Sequence, residues 1–211
     1  MQGTFIAFEG IDGSGKDTII ACLKTYLEEQ GKPVTVSAEP TDGPVGTRIR
    51  RILTGQEPKP ATTLDLQTLY IEDRKIHLKE VLIPALERGD IVLENRFWLS
   101  MIAYAMTDGT PEEFIALQKE ILGEDMRYPD LTFIFDLPAE LAIERKRIQQ
   151  NGAHEDLYTK IDSLTRIRAN YLALAKRADL GKIVVLDTRK PQEEVCRETI
   201  DILAEIFDIQ S

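Results

Sequence analysis

Between a short apolar run, Thr4–Phe8, and an amphipathic stretch starting near Asp17 lies the segment Gly10-Ile11-Asp12-Gly13-Ser14-Gly15-Lys16-Asp17. Its spacing fits G-x-x-x-x-G-K after a strand and before a helix, and no other feature limits the possible folds so strongly. The glycines let successive backbone N–H groups converge on one point, the following helix adds the positive end of its dipole, and Lys16 adds a full charge. This is a cradle for nucleotide phosphates. The residues expected to hold ATP are Gly10, Ile11, Asp12, Gly13, Ser14, Gly15, Lys16, Asp17 and Thr18. One position departs from the pattern: Asp17 stands where a Ser or Thr hydroxyl usually reaches magnesium, with Thr18 directly behind it. A carboxylate is a good ligand for a hard cation but repels phosphates unless Mg²⁺ intervenes. The expected metal ligands are therefore Asp17, with Thr18 and Asn95 as further candidates.

Apolar runs bounded by turn residues recur at Thr4–Phe8, Val34–Ser37, Asp90–Glu94, Leu131–Asp136 and Lys182–Leu186. Their continuous rather than alternating apolarity predicts strands buried on both faces. Helical patterns fill the intervals at Asp17–Gln30, Gly46–Leu53, Leu64–Arg88, Trp98–Met106, Pro111–Leu122, Ala139–Gln150, Asp156–Ala178 and Pro191–Phe207. The alternation predicts one α/β domain over residues 1–211, a three-layer P-loop fold with a parallel sheet of about five strands flanked by helices. A small lid is expected at about residues 145–160, with Gly152–Asp156 as its surface loop.

Composition excludes several classes. The net charge of −10 repels nucleic-acid backbones and anionic headgroups, and no window approaches a membrane span. The first ten residues hold too short an apolar stretch for a signal peptide, so a cytoplasmic protein is expected. Cys22 and Cys196 lack metal spacing, and His77 and His154 cannot build a zinc site without unusual partners, so neither a structural metal nor a disulfide is expected.

A phosphate loop serves hydrolases, motors and kinases alike, so residues for a second substrate decide between them. Val92 through Ser100 leave a buried strand at its carboxyl end, where open α/β sheets bind ligands, and they present Arg96. Tyr70 and Arg74 are four apart on one helix face, able to stack on a base and donate to its edge, although a core tyrosine beside a solvated arginine has the same spacing.

From Phe5 to about Ala175 the order of these motifs resembles the thymidylate kinase family, a group of nucleoside monophosphate kinases. The resemblance implies that Asp12 meets the sugar 3′-hydroxyl and that Glu39-Pro40, Gly46 and Ile49-Arg50 hold the acceptor phosphate. It implies that Tyr70 and Arg74 contact thymine, that Arg96 belongs to an Asp-Arg-aromatic motif, and that Ser100 and Tyr104 belong to a Ser-x-x-Ala-Tyr run selecting deoxyribose. Lys16, Arg96 and the lid residues Arg145 and Arg147 then carry catalysis, with surface solvation the plain alternative for the last two. ATP, a deoxynucleoside monophosphate acceptor, Mg²⁺ and a homodimer are implied as substrates, cofactor and assembly.

The departures are specific. Ala38, Asn95, Ala105 and Leu157 replace a common arginine, aspartate, glutamine and arginine, and Gly13 stands at the loop's variable position, as in the branch that draws its arginines from the lid. Asp17 is expected to supply the carboxylate absent at Asn95 from the opposite wall. The leading expectation is γ-phosphoryl transfer from ATP to dTMP. Its alternatives are a kinase for dUMP or a modified pyrimidine nucleotide, because Met101 and Ala105 alter the base-side wall, a nucleoside kinase, which paired Arg50 and Arg96 disfavour, and a non-transferring ATP-binding regulatory protein.

Overall fold

The computed structural model describes residues 3–106, 108–149 and 157–207. Five parallel strands, β1 (Thr4–Glu9), β2 (Val34–Ala38), β3 (Ile91–Asn95), β4 (Leu131–Asp136) and β5 (Ile183–Asp187), lie in the order β2-β3-β1-β4-β5. The central strand shows why the order holds. Side chains alternate across a strand, so Phe5 and Ala7 enter one apolar core while Ile6 and Phe8 enter the other, and only a strand covered on both faces can bury all four.

The helices α1 (Lys16–Glu29) and α9 (Gln192–Phe207) cover one face, where Ile19, Leu23 and Leu27 meet Val195 and Leu203 in one apolar cluster. The other face carries α3 (Thr63–His77), α4 (Ile83–Arg88), α5 (Trp98–Ala105), α6 (Pro111–Leu122) and α8 (Leu157–Leu174). The short α2 (Pro44–Leu53) packs on α3, and α7 (Ala139–Gln149) follows β4. The parallel α/β class and the strand positions agree with the sequence reading to within a residue or two. The loop expected at Gly152–Asp156, and with it part of the lid, lies outside the described residues.

Two expectations are corrected. The helix expected at Leu64–Arg88 is interrupted by a π-helical turn at Leu78–Leu82. Pro84, in the first turn of α4, has no N–H for the helical ladder and crowds the preceding turn, and the widened turn accommodates it. Cys22 and Cys196, expected to remain unlinked, form a disulfide joining α1 to α9 with their Cα atoms 6.4 Å apart. Their separation of 174 residues gives no hint of pairing; packing of the two helices on one sheet face creates it.

Candidate active site

The phosphate loop closes at the C-terminal edge of β1. Gly10, Gly13 and Gly15 all adopt positive φ, and Gly15 caps α1 in the left-handed conformation. A Cβ at Gly13 would lie 2.5 Å from the carbonyl oxygen of Ala142, so α7 packs directly on the loop and excludes any side chain there. That contact explains why an arginine cannot occupy position 13. Lys16 is buried and folds back over its own loop, its Nζ donating to the carbonyls of Gly10 and Ile11, each at 3.0 Å, and to Ser14 Oγ at 3.3 Å. Burial and the nearby Arg96 push its pKa well below the usual lysine range.

Gly13, Gly15, Lys16, Asp17 and Thr18 line a cleft of about 690 Å³ whose other walls include Arg96, Arg145, Lys146, Arg189 and Lys190. Six cationic side chains against Asp12 and Asp17 make this cleft locally basic on a chain of net charge −10. The field suits a polyanion of a nucleoside triphosphate's size.

Arg96 is the hinge of the site. It has φ of 67°, a left-handed conformation that a non-glycine residue adopts only under constraint, and its backbone N–H donates to the Phe8 carbonyl at 2.9 Å. Its guanidinium donates to Asp12, to Ser100 Oγ at 3.2 Å and to Tyr171 Oη at 3.5 Å, and lies 5.5 Å from the ring centre of Tyr104. Burial works against ionised Asp12, but Arg96 and Lys146, the latter donating at 2.8 Å, outweigh it and hold the carboxyl well below its ordinary value. Behind them Glu9 is fully buried, accepting from the Phe97 N–H at 3.0 Å, Tyr171 Oη at 3.3 Å and Ser100 Oγ. Its burial raises its pKa despite those donors.

A second cleft of about 780 Å³ opens on the other side of Arg96, lined by Asp12, Glu39, Arg50, Tyr70, Arg74, Arg96, Ser100 and Tyr104 among others. These residues, which sequence reasoning assigned to the second substrate, are thus brought to one cavity, whereas Gly46 and Ile49, expected at the acceptor phosphate, and Ala105, expected on the base-side wall, are buried in α2 and α5 and do not line it. Arg74 forms part of the cavity wall while its guanidinium is buried, with Nε and Nη2 on Glu39 Oε2 at 2.9 and 2.6 Å and Nη1 on Gln118 Oε1 at 2.6 Å. It also lies 4.7 Å from the ring centre of Phe97. The plain alternative of a solvated arginine is therefore excluded. Tyr70 faces the cleft with its pKa pushed up to about 12 by burial. Arg50 gathers the loop after β2, donating to the carbonyls of Thr41 at 2.6 Å and Pro40 at 2.8 Å and to Asp42 at 2.7 Å.

Asp17 and Asn95 face each other, Asn95 Nδ2 donating to Asp17 Oδ1 at 2.5 Å, while the buried Asn95 Oδ1 has no hydrogen-bond partner. Of the lid arginines, Arg145 lines the first cleft and donates to the Thr188 carbonyl at 2.8 Å, whereas Arg147 pairs with Glu144 at 3.1 Å on the exposed face. Sequence reasoning passed over Lys146, Glu9 and Asp73. Helical spacing turns residues 145 and 146 toward the loop and 147 away, a consequence visible only once α7 is placed against Gly13. Asp73 is buried and fixes Thr41, accepting from its N–H at 2.7 Å and its hydroxyl at 2.6 Å. A carboxylate on the apolar side of a helix was its one available signal.

Comparison with known proteins agrees with this geometry. A family model described as thymidylate kinase matches residues 8–199. The chain belongs to the thymidylate kinase family. It is 32% identical over 204 residues to "Thymidylate kinase" of Chlamydia caviae, covering 96% of this chain and 98% of that one. It is 37% identical over 207 residues to "Thymidylate kinase" of Geobacillus sp. (strain WCH70), with 95% of each chain covered. A "Probable thymidylate kinase" of Pyrococcus abyssi is 33% identical over 187 residues, covering 87% of this chain and 88% of the relative. Within the thymidylate kinase family the five-stranded parallel sheet is the scaffold of a phosphotransferase, and among the described residues no helix is long and apolar enough to cross a membrane.

Proposed function

We propose that this chain transfers the γ-phosphoryl group of ATP to dTMP, giving dTDP. One observation carries the reading: the basic cleft and the second cleft share Asp12 and Arg96 as a common wall. Phosphoryl transfer asks little covalent chemistry of a protein. It asks for two phosphate groups held in line and for positive charge where negative charge spreads.

In this reading the loop amides and Lys16 hold the donor phosphates, Lys16 exchanging its contacts with the loop carbonyls for phosphate oxygens. Arg96 reaches the acceptor phosphate from the shared wall, Arg50 supports it from α2, and Arg145, on the wall of the first cleft, meets the migrating group. Asp12, already ionised, accepts from the sugar hydroxyl. Tyr70 stacks on the base, Arg74 bounds it through a guanidinium fixed by Glu39 and Gln118, and the ring of Tyr104 crowds the sugar.

The oxygen-rich pair of Asp17 and Asn95, with Thr18 beside it, fits a hard cation, and the unpartnered Asn95 Oδ1 leaves a ligand atom without another role. These three residues would hold Mg²⁺, which when bound neutralises the donor phosphates. A homodimer belongs to the same reading and is tested by sedimentation of the purified chain.

The deciding experiment is a coupled ADP-release assay with ATP and Mg²⁺, offering dTMP, dUMP, dCMP, dGMP, dAMP and thymidine separately. ADP release with dTMP at a kcat/KM well above every other acceptor is expected. Release that ignores the acceptor would replace this reading with a nucleotide-hydrolysing switch.

A further inference from the structure

The geometry points to a second cation site, independent of the phosphoryl-transfer reading: a divalent transition-metal ion of the Zn²⁺ type held by Glu39 Oε1, His77 Nδ1 and Glu94 Oε1. These three atoms lie within 4.8 Å of one another in the wedge between β2, β3 and α3, and all three residues are buried. His77 Nδ1 is 3.3 Å from Glu39 Oε1 and 3.9 Å from Glu94 Oε1.

The observation that asks for a ligand is Glu94. It is fully buried, one oxygen accepts from Ser37 Oγ, and the other, Oε1, has no hydrogen-bond partner and faces the cluster. Among the described residues no lysine or arginine nitrogen lies within ion-pair distance of it. Burying an unpaired carboxylate oxygen is costly, and replacing its lost hydration requires a proton or a cation.

A cation fits the surroundings. Glu39 commits Oε2 to Arg74 at 2.9 and 2.6 Å, so its charge is already paired, while Oε1 is hydrogen-bonded to His77 Nδ1 at 3.3 Å, a contact that coordination of both atoms to one ion would replace. One imidazole nitrogen and two carboxylate oxygens form a borderline set that prefers zinc-like ions to magnesium. Ligand atoms on a tetrahedral ion at about 2.0–2.1 Å are separated by roughly 3.4 Å, so the His77–Glu39 gap already fits, the His77–Glu94 gap must contract by about 0.5 Å and the Glu39–Glu94 gap by no more than about 1.4 Å. Of the three ligands, His77 lines a third cleft of about 1010 Å³ together with Ser37 and Asn95. An ion there would fasten the end of β2 to α3 and so brace the Glu39–Thr41 loop, which forms one side of the acceptor cavity.

The test starts from purified full-length protein stripped with a chelator and dialysed into Mg²⁺. Zinc is then titrated by calorimetry, and retained metal is counted by elemental analysis. One zinc per chain is expected, surviving Asp17→Asn but weakened at least about a hundredfold in Glu94→Gln and His77→Gln. Equal zinc affinity in Glu94→Gln, or zinc lost with Asp17→Asn alone, overturns the proposal. Should either cluster variant fail to fold, zinc-edge anomalous diffraction from the unmodified protein decides. A peak among Glu39, His77 and Glu94 supports the site, and a peak only elsewhere, or none, overturns it. Catalysis with dTMP is measured separately, so failure of zinc binding leaves the kinase reading untouched.

Discussion

Replacing Gly46 by alanine sets two physical effects against each other. In an exposed helix interior the change gains about 1 kcal/mol, because glycine loses more backbone freedom on folding. Gly46 is buried in the first turn of α2, and a Cβ there would lie 2.1 Å from the Thr41 carbonyl oxygen and 2.6 Å from its nitrogen. Relieving that overlap needs a displacement of about 1 Å, and overpacking of this kind costs about 1–3 kcal/mol. The neighbour cannot yield cheaply, since Asp73 holds Thr41 by its N–H and hydroxyl, and Arg50 holds its carbonyl at 2.6 Å. With Thr41 so held the upper part of that range, about 2–3 kcal/mol, applies, and subtracting the gain of about 1 kcal/mol leaves a net loss of about 1–2 kcal/mol and a melting temperature lower by roughly 2–8 °C for a chain of this size. Because Glu39, Pro40 and Arg50 line the acceptor cavity, misplacing the loop by about 1 Å should lower kcat/KM for dTMP about a hundredfold. The KM for ATP should move less than about twofold, since the phosphate loop is untouched. Calorimetry and steady-state kinetics with each substrate varied read both quantities. A variant as stable as the parent with unchanged dTMP kinetics would refute the claim that this loop is rigidly held.

Arg96→Lys keeps the charge but loses the planar fork that reaches Asp12 and Ser100 together, so kcat/KM for dTMP should fall about a hundredfold or more in steady-state assays. Asp17→Thr removes the carboxylate, and Asn95→Asp sets two carboxylates face to face; each should impair turnover, with partial rescue in the double variant. Strict additivity of the two losses would sink that coupling. Asp12 has a folded-state pKa held below its unfolded value, so its stabilising contribution is present above about pH 4 and fades on acidification. Asp12→Asn should therefore lower the melting temperature at pH 7, and the difference from the parent should narrow steadily as the pH falls below about 4.

The phosphate loop was legible because its chemistry is local: eight consecutive residues supply the turn, the amides and the lysine, and flanking periodicity supplies the strand and the helix. Tyr70 and Arg74 were legible as a pair because helical spacing puts residues four apart on one face, and Arg96 because it follows a buried strand. The role of Arg74 was not. Its guanidinium is occupied by Glu39, 35 residues away, and Gln118, 44 residues away, and no local pattern encodes such partners. The same holds for the Cys22–Cys196 bond, for Lys146 reaching Asp12, and for the cluster of Glu39, His77 and Glu94. Local backbone preference and side-chain periodicity decided, from sequence alone, which segments become strands and helices and where the glycine-rich turn lies between β1 and α1. The tertiary structure decided which distant side chains share a buried space, because in a low-dielectric interior a charge must find a partner wherever packing happens to place one.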